Sequence, residues 1–398
     1  MTIALMPTYA RLPLIPERGQ GSWLWDREGN SYLDAITGIG VCALGHAHPR
    51  ITEALHHQAQ RLIHTSNLYR IDRQEHLADR LVALSDMENV FFGNSGAEAN
   101  EAALKIARLY GHQRGIDTPV VVVMENSFHG RTLATLSATG NPKVRQGFEP
   151  LVSGFLRLPF DDLTALEEAA EAHPDIVAVL VEPIQGEGGI RVPAPDYLPR
   201  LRALCDQHQW LLILDEIQTG MGKTGRWFAC QHHAIRPDLL TVAKALGNGI
   251  PIGACLAAGP AARVFQTGQH GSTFGGNPLA CHVAATVIDV IEQERLLARA
   301  EQLGRQLREA LRQALDDSGM VKQVRGQGLM IGVELQRACG ELTTIAARHG
   351  LLINVTAGNV IRLLPPLNLS DEEARILVER LTAAVTEFAR NASPVTTR

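Results

Sequence analysis

None of the six cysteines forms a C-x-x-C pair, which argues against a zinc or dithiol redox centre. Several lie in apolar runs, where a free thiol acts as a small hydrophobe. No stretch approaches the roughly 18 apolar residues of a membrane helix. The first 21 residues, MTIALMPTYARLPLIPERGQG, carry three prolines and no sustained apolar run. They lack the charged start and apolar core of a signal peptide, so a reducing cytoplasm is the expected compartment. There is no internal repeat and no low-complexity segment. Charge is close to balanced, with 37 Lys+Arg against 42 Asp+Glu and a formal net charge of −5. Neither nucleic acid nor an anionic membrane is expected as a partner; small anions would need local arginines. What is present is 398 residues at 45% hydrophobic and 20% charged, an ordinary globular composition long enough for about two domains.

The stretch from Leu211 to Gly249 organises the rest. The run Leu211-Leu212-Ile213-Leu214 ends in Asp215, and Leu239-Leu240-Thr241-Val242-Ala243 ends in Lys244. Apolar runs of this length suit strands buried on both faces. Their polar ends would meet on the rim where open α/β sheets bind ligands.

Taken in order, residues 1–20 look extended, either lying across a neighbouring subunit or forming a mobile tail. Gly21–Leu33 alternates around Glu-Gly-Asn and predicts a hairpin. His46 and His48 have metal-ligand spacing, but read as a loop before a helix started by Pro49. Helices are expected over Ile51–Leu62 and Gln74–Leu84. Asn89–Asn94 reads as a strand, followed by Ser95-Gly96-Ala97 and a helix over Glu98–His112. Strand, small-residue turn and helix start can cradle a phosphate; an ordinary helix capped by Ser95 fits the same residues. Further strands are expected at Val120–Glu125, before the loop Phe128-His129-Gly130-Arg131, and at Ile176–Glu182, before a glycine-rich loop holding Glu187. Helical patterns lie at Leu163–Ala172 and Tyr197–His208. Strand–helix alternation from about 89 to 260 predicts a parallel α/β sheet. Asn277–Leu315 is helical with a break near Gln293–Arg295. Strands are expected at Gly328–Leu335, Leu351–Val355 and Val360–Leu363, and helices at Leu342–His349 and Asp371–Arg390, the last capped by Ser370. The tail from Asn391 is expected to be disordered.

A lysine, a buried acid, a stacking aromatic and a phosphate cradle together suit pyridoxal 5'-phosphate. Its aldehyde needs an amine, and its ring nitrogen needs a carboxylate so that the ring stays protonated and draws electrons. Two unit charges ~4 Å apart at an effective dielectric near 20 attract by about 4 kcal/mol, enough to keep the ring charged at neutral pH.

The segments FFGNSGAEANEAALKIAR, NSFHGRTLATLSATGNPK, VEPIQGEGG, LLILDEIQTGMGKTG, TVAKALGNGIPIGA and HGSTFGGNPLAC resemble the class III aminotransferases, and the likeness runs from about Trp23 to Leu367. The resemblance implies a type I pyridoxal-phosphate fold. Residues 60–285 would form a large domain with a mostly parallel seven-stranded sheet, and residues 1–59 and 286–398 a small α+β domain. It implies Lys244 as covalent anchor and proton shuttle, Asp215 at the ring nitrogen, Gln218 at the ring hydroxyl and Phe128 stacked on the ring. Ser95, Gly96 and Ala97 would hold the phosphate, and His129, Glu216 and Ile217 would complete the cofactor site. Thr273 would reach the phosphate from the neighbouring subunit, which implies a homodimer with shared sites.

For the substrates, the resemblance implies that Arg131 clamps a far carboxylate and Arg362 a near one. Glu187 would pair with Arg362 when the near carboxylate is absent. Asn67 and Ser272 would contact substrate, and no metal is expected. The implied reaction moves the δ-amino group of N-acetylornithine to 2-oxoglutarate, giving N-acetylglutamate 5-semialdehyde and glutamate, as in arginine biosynthesis. Ile39 stands where ornithine-acting relatives carry a tyrosine, which favours an acylated substrate. Succinylornithine, succinyl-diaminopimelate, ornithine and γ-aminobutyrate remain open as amine donors. So does an aminomutase of the same fold.

Overall fold

A computed structural model describes residues 4–392. Three short strands open the chain: β1 (Pro16–Gln20), β2 (Trp23–Asp26) and β3 (Ser31–Asp34). The expected hairpin is the antiparallel β2–β3 pair. The central strands are β4 (Asn89–Gly93), β5 (Val120–Met124), β6 (Phe155–Leu158), β7 (Ile176–Val181), β8 (Leu211–Asp215), β9 (Leu239–Val242) and β10 (Gly253–Ala257). They form a seven-stranded sheet in the order β4-β10-β9-β8-β7-β5-β6. β6, β5, β7, β8 and β9 pair in parallel, while β10 runs antiparallel to both neighbours. β4 therefore points the same way as β9. The loops after β4, β5, β7, β8 and β9 all leave the sheet at one edge, and all carry expected site residues. Every residue of β7, β8 and β9 is buried, as their unbroken apolar sequence requires.

The remaining strands are β11 (Val321–Gln327), β12 (Met330–Leu335), β13 (Leu351–Leu352), β14 (Asn354–Thr356) and β15 (Val360–Leu363). One four-stranded sheet runs β1-β2-β3-β13 and another β11-β12-β15-β14. The single strand expected over Leu351–Val355 is thus two. Leu351 and Leu352 pair in parallel with Leu33 and Asp34, whereas Asn354–Thr356 pairs with β15. Periodicity could not show this, because the two pieces are one apolar stretch that changes sheets at Ile353. β6, β10 and β11 were not located individually from sequence. β6 is short and half-buried, and β10 is built largely of small residues.

The early helix spans Pro49–Ala59, a turn shorter than expected at its end. The 277–315 segment divides as expected, into helices Pro278–Gln293 and Leu296–Leu315, with Arg295 left-handed between them. Ser370 and Glu373 form a reciprocal cap on the last helix, which stabilises its first turn. That helix includes Asn391 and Ala392; the rest of the expected disordered tail lies outside the described residues. His46 hydrogen-bonds Asp34 at 2.8 Å, and no metal-binding cluster occurs among the described residues.

Candidate functional site

The shared edge of the central sheet opens into a cavity of about 460 Å³. It is lined by Ser95, Gly96, Ala97, Phe128, His129, Arg131, Glu187, Asp215, Ile217, Gln218 and Lys244. Eleven expected site residues thus meet in one place.

Lys244 leaves β9 one residue past Ala243 with φ of 47°, a left-handed conformation that is costly for a residue with a Cβ. Burial, with Arg362 the next cause, pushes its amine below the usual lysine range, which favours the neutral nucleophilic form. Asp215 is 4% exposed. Its Oδ2 accepts from Asn100 Nδ2 and from His129 Nδ1, each at 2.8 Å, and its Oδ1 accepts from the Ile217 backbone at 3.1 Å. Because a carboxylate only accepts, His129 carries its proton on Nδ1. Its Nε2 is buried and without a partner. Asn100 is itself held by Thr241 Oγ1 at 2.8 Å.

The helix Gly96–Gln113 begins at the cavity wall. Ser95 caps it by accepting from the Glu98 backbone at 3.2 Å, the capped helix that its sequence allows. Gly96 is required for packing: a Cβ there would stand 2.7 Å from Ile217 Cδ1. Phe128 is half-buried beside the cavity, and Arg131 lies over its ring at 5.5 Å, within cation–π range.

Arg362 lies within β15, its side chain 1% exposed. Its Nε donates to Asn354 Oδ1 at 2.9 Å, and its Nη1 donates to Glu187 Oε1 at 2.5 Å and to Gln218 Oε1 at 3.4 Å. Its Nη2 is buried with no partner. A guanidinium covered on one arm and empty on the other is ready for an anion, since an unmet buried donor is costly.

Four expected site residues are not brought to the cavity. Glu216 is buried, and its carboxylate accepts from the Ala229 and Cys230 backbones, both at 2.9 Å, and from Thr219. Burial pushes its pKa up. Its side chain closes the turn beneath the site and does not face it. Asn67 donates to the Ser272 and Gly275 carbonyls, both at 3.1 Å, and accepts from Gln74 at 2.9 Å. Its amide is spent on a loop. Ser272 Oγ accepts from the Gly275 backbone at 2.9 Å, and it lines a separate depression together with exposed Thr273.

Three polar residues of the site carried no site assignment from sequence. Glu182 and Asn94 line the cavity, and Asn100 stands behind Asp215. Glu182 ends a buried strand as Asp215 does, and that position was a legible signal. Asn100 lies mid-helix and gave none.

The sequence matches the class III aminotransferases over residues 5–385. The chain belongs to that family. It is 55% identical over 384 residues to an acetylornithine aminotransferase of Nitrosomonas europaea, covering 96% of this chain and 98% of the relative. It is 54% identical over 388 residues to acetylornithine aminotransferase 1 of Bordetella pertussis, covering 98% and 99%. Its fold superposes on the ornithine aminotransferase of Toxoplasma gondii with a TM-score of 0.94 at 38% identity, over 98% of this chain and 94% of that one. A second structure of the Toxoplasma enzyme holds pyridoxal phosphate at partial occupancy in its active site.

The residues of this class III aminotransferase fit that cofactor. The fit rests on a glycine-floored helix start, a buried carboxylate held by two donors, an amine of lowered pKa and an unpartnered imidazole nitrogen, all around one cavity.

Proposed function

We propose that the enzyme transfers the δ-amino group of N2-acetyl-L-ornithine to 2-oxoglutarate, giving N-acetyl-L-glutamate 5-semialdehyde and L-glutamate. The observation that carries this reading is the pair of arginines: Arg131 exposed at the cavity and Arg362 buried under Glu187. An N-acylated diamine presents one carboxylate, far from its reacting amine, and glutamate presents two. One open and one coverable guanidinium serve both substrates in turn. An aminomutase has no second acceptor to clamp. The names of the relatives at 54–55% identity support the acylated ornithine.

When bound, pyridoxal phosphate supplies an aldehyde to receive the amine and a ring that takes up the electron pair released at the substrate carbon. Lys244 Nζ would anchor the aldehyde and, once the substrate amine has displaced it, would move the proton at that carbon. Its lowered pKa favours the neutral form, which can accept. Asp215 holds the ring nitrogen proton, and His129 and Asn100 keep that carboxylate in place. Phe128 and Ile217 would flank the ring, and Ser95, Gly96 and Ala97 would hold the phosphate at the helix start. Gln218 Nε2 serves the ring hydroxyl. Arg131 orients the far carboxylate. Arg362 takes glutamate's near carboxylate once Glu187 withdraws.

We place the enzyme in the cytoplasm as a homodimer, in which Thr273 completes the phosphate site of the neighbouring subunit and Ser272 stands beside the substrate. Half-reactions with N-acetylornithine, succinylornithine, succinyl-diaminopimelate, ornithine and γ-aminobutyrate test the substrate. Faster turnover of ornithine or γ-aminobutyrate than of the acylated amines overturns the assignment.

A further inference from the structure

The cavity holds a second buried carboxylate to which the chemistry above gives no task. Glu182 follows β7 directly and is 6% exposed. Its Oε1 accepts from the Phe128 backbone at 2.7 Å, and its Oε2 accepts from the Gly186 backbone at 2.8 Å. One carboxylate thus bonds two loops that leave neighbouring strands. One loop carries Phe128 and Arg131, and the other carries Glu187. Gln185 Nε2 reinforces the tie by donating to Glu125 O at 2.7 Å.

The backbone of the second loop is fixed at further points. Thr356 Oγ1 donates to the Glu187 carbonyl, and Arg325 donates to the Gly189 carbonyl. Gly186 abuts Gln218, where a Cβ would stand 2.5 Å from Oε1. With the main chain held at 186, 187 and 189, the free part of this loop is the Glu187 side chain, a third exposed and resting on Arg362.

We propose that Glu182 is a positioning residue that clamps both loops, so that uncovering Arg362 is a rotation of the Glu187 side chain and not a movement of the loop. The function of the clamp rests on the two-arginine reading above; the clamp itself does not. Burial pushes the Glu182 carboxyl up to about 7, against the pull of His129 and the two backbone donors. The two backbone N–H groups favour its charged form.

The test is amide hydrogen exchange on the full-length, cofactor-free protein carrying Glu182→Gln, with Glu182→Asp as the second variant. Glutamine offers one acceptor oxygen of the two, and aspartate is too short to reach both loops. Segments 126–131 and 184–189 should exchange faster in Glu182→Gln, at least one of them by roughly ten- to hundredfold, the factor for losing a hydrogen bond to a charged acceptor. In Glu182→Asp one of the two should remain protected. The C-terminal helix Asp371–Ala392 should exchange as in the wild type. Wild-type rates in both segments of both variants overturn the proposal. So does acceleration that includes the C-terminal helix, since that marks general destabilisation. In the cofactor-loaded enzyme, Glu182→Gln should narrow the ratio of glutamate to N-acetylornithine KM values. If wild-type enzyme uses neither substrate, the functional reading fails while the exchange result still decides the clamp.

Discussion

Replacing Glu187 with glutamine removes the charge that covers Arg362 while keeping its shape. The Arg362 side chain is 1% exposed and that of Glu187 34%, so the pair is half sheltered. A hydrogen bond to a charged group contributes ~1.5–3 kcal/mol, and solvent around Glu187 places this one at the lower end. About 1.5 kcal/mol is roughly a tenfold change in an equilibrium or rate constant. Glutamate must displace Glu187 before its near carboxylate reaches Arg362. Without that competitor its apparent KM should fall about tenfold. On the proposed reading N-acetylornithine would place apolar chain against the same guanidinium, so its KM should rise by a similar factor. Single-turnover half-reactions at fixed pH, followed by the cofactor's visible absorbance, measure both. A shift of the same sign for both substrates, or an unchanged ratio, refutes the switch.

Lys244→Ala should abolish transamination and the visible band of the lysine-anchored cofactor; persistence of that band removes the lysine from its role. Asn100→Ala strands the His129 carbonyl and Thr241 Oγ1 and leaves Asp215 Oδ2 with His129 Nδ1 as its one remaining partner, all buried. It should cost at least about 2 kcal/mol in denaturant unfolding and weaken cofactor retention, and a neutral effect on both would show that Asp215 is held without it. His46, on Asp34 at 2.8 Å, has its pKa raised to about 9, chiefly by the Asp34 hydrogen bond. Because the folded pKa lies above the unfolded one of roughly 6.5, this stabilisation is full below ~6.5 and is lost as pH rises toward 9. The Tm of the wild type should therefore fall across that window, and His46→Gln should flatten the decline.

Asp215 and Lys244 were legible because one pattern encodes two things. An apolar run specifies a strand buried on both faces, and the polar residue ending it marks where the strand leaves the sheet. The parallel direction of β4, β5, β7, β8 and β9 then brings their ends to one edge, and topology alone assembles most of the site. Adjacency on a loop does not encode side-chain direction: the Glu216 carboxylate is drawn inward by the Ala229 and Cys230 amides. Arg362 reads as one residue of a short strand; the resemblance, not periodicity, singled it out. Asn67, Ser272 and Thr273 belong to loops that bond each other within one chain.

Lys244 and Asp215 stand at strand ends of the central sheet, whereas Arg362 and Asn354 belong to the sheet β11-β12-β15-β14. The Lys244–Asp215 pair and the near-carboxylate arginine therefore rest on different frameworks and should be separable by mutation. Asn354 tests this. Its Oδ1 fixes Arg362 Nε at 2.9 Å, and it contacts neither β8 nor β9 by hydrogen bond. Asn354→Leu removes one of the polar groups that aim the fork. The loss, for a bond to a charged donor, is about 1.5 kcal/mol or roughly tenfold. It should fall on glutamate, which needs Arg362 open and aligned. N-acetylornithine, which needs that arginine only to stay covered, should react near the wild-type rate. Equal losses in the two half-reactions would mean that β14 and β15 support the whole cavity, and the separation of chemistry from selectivity would fail.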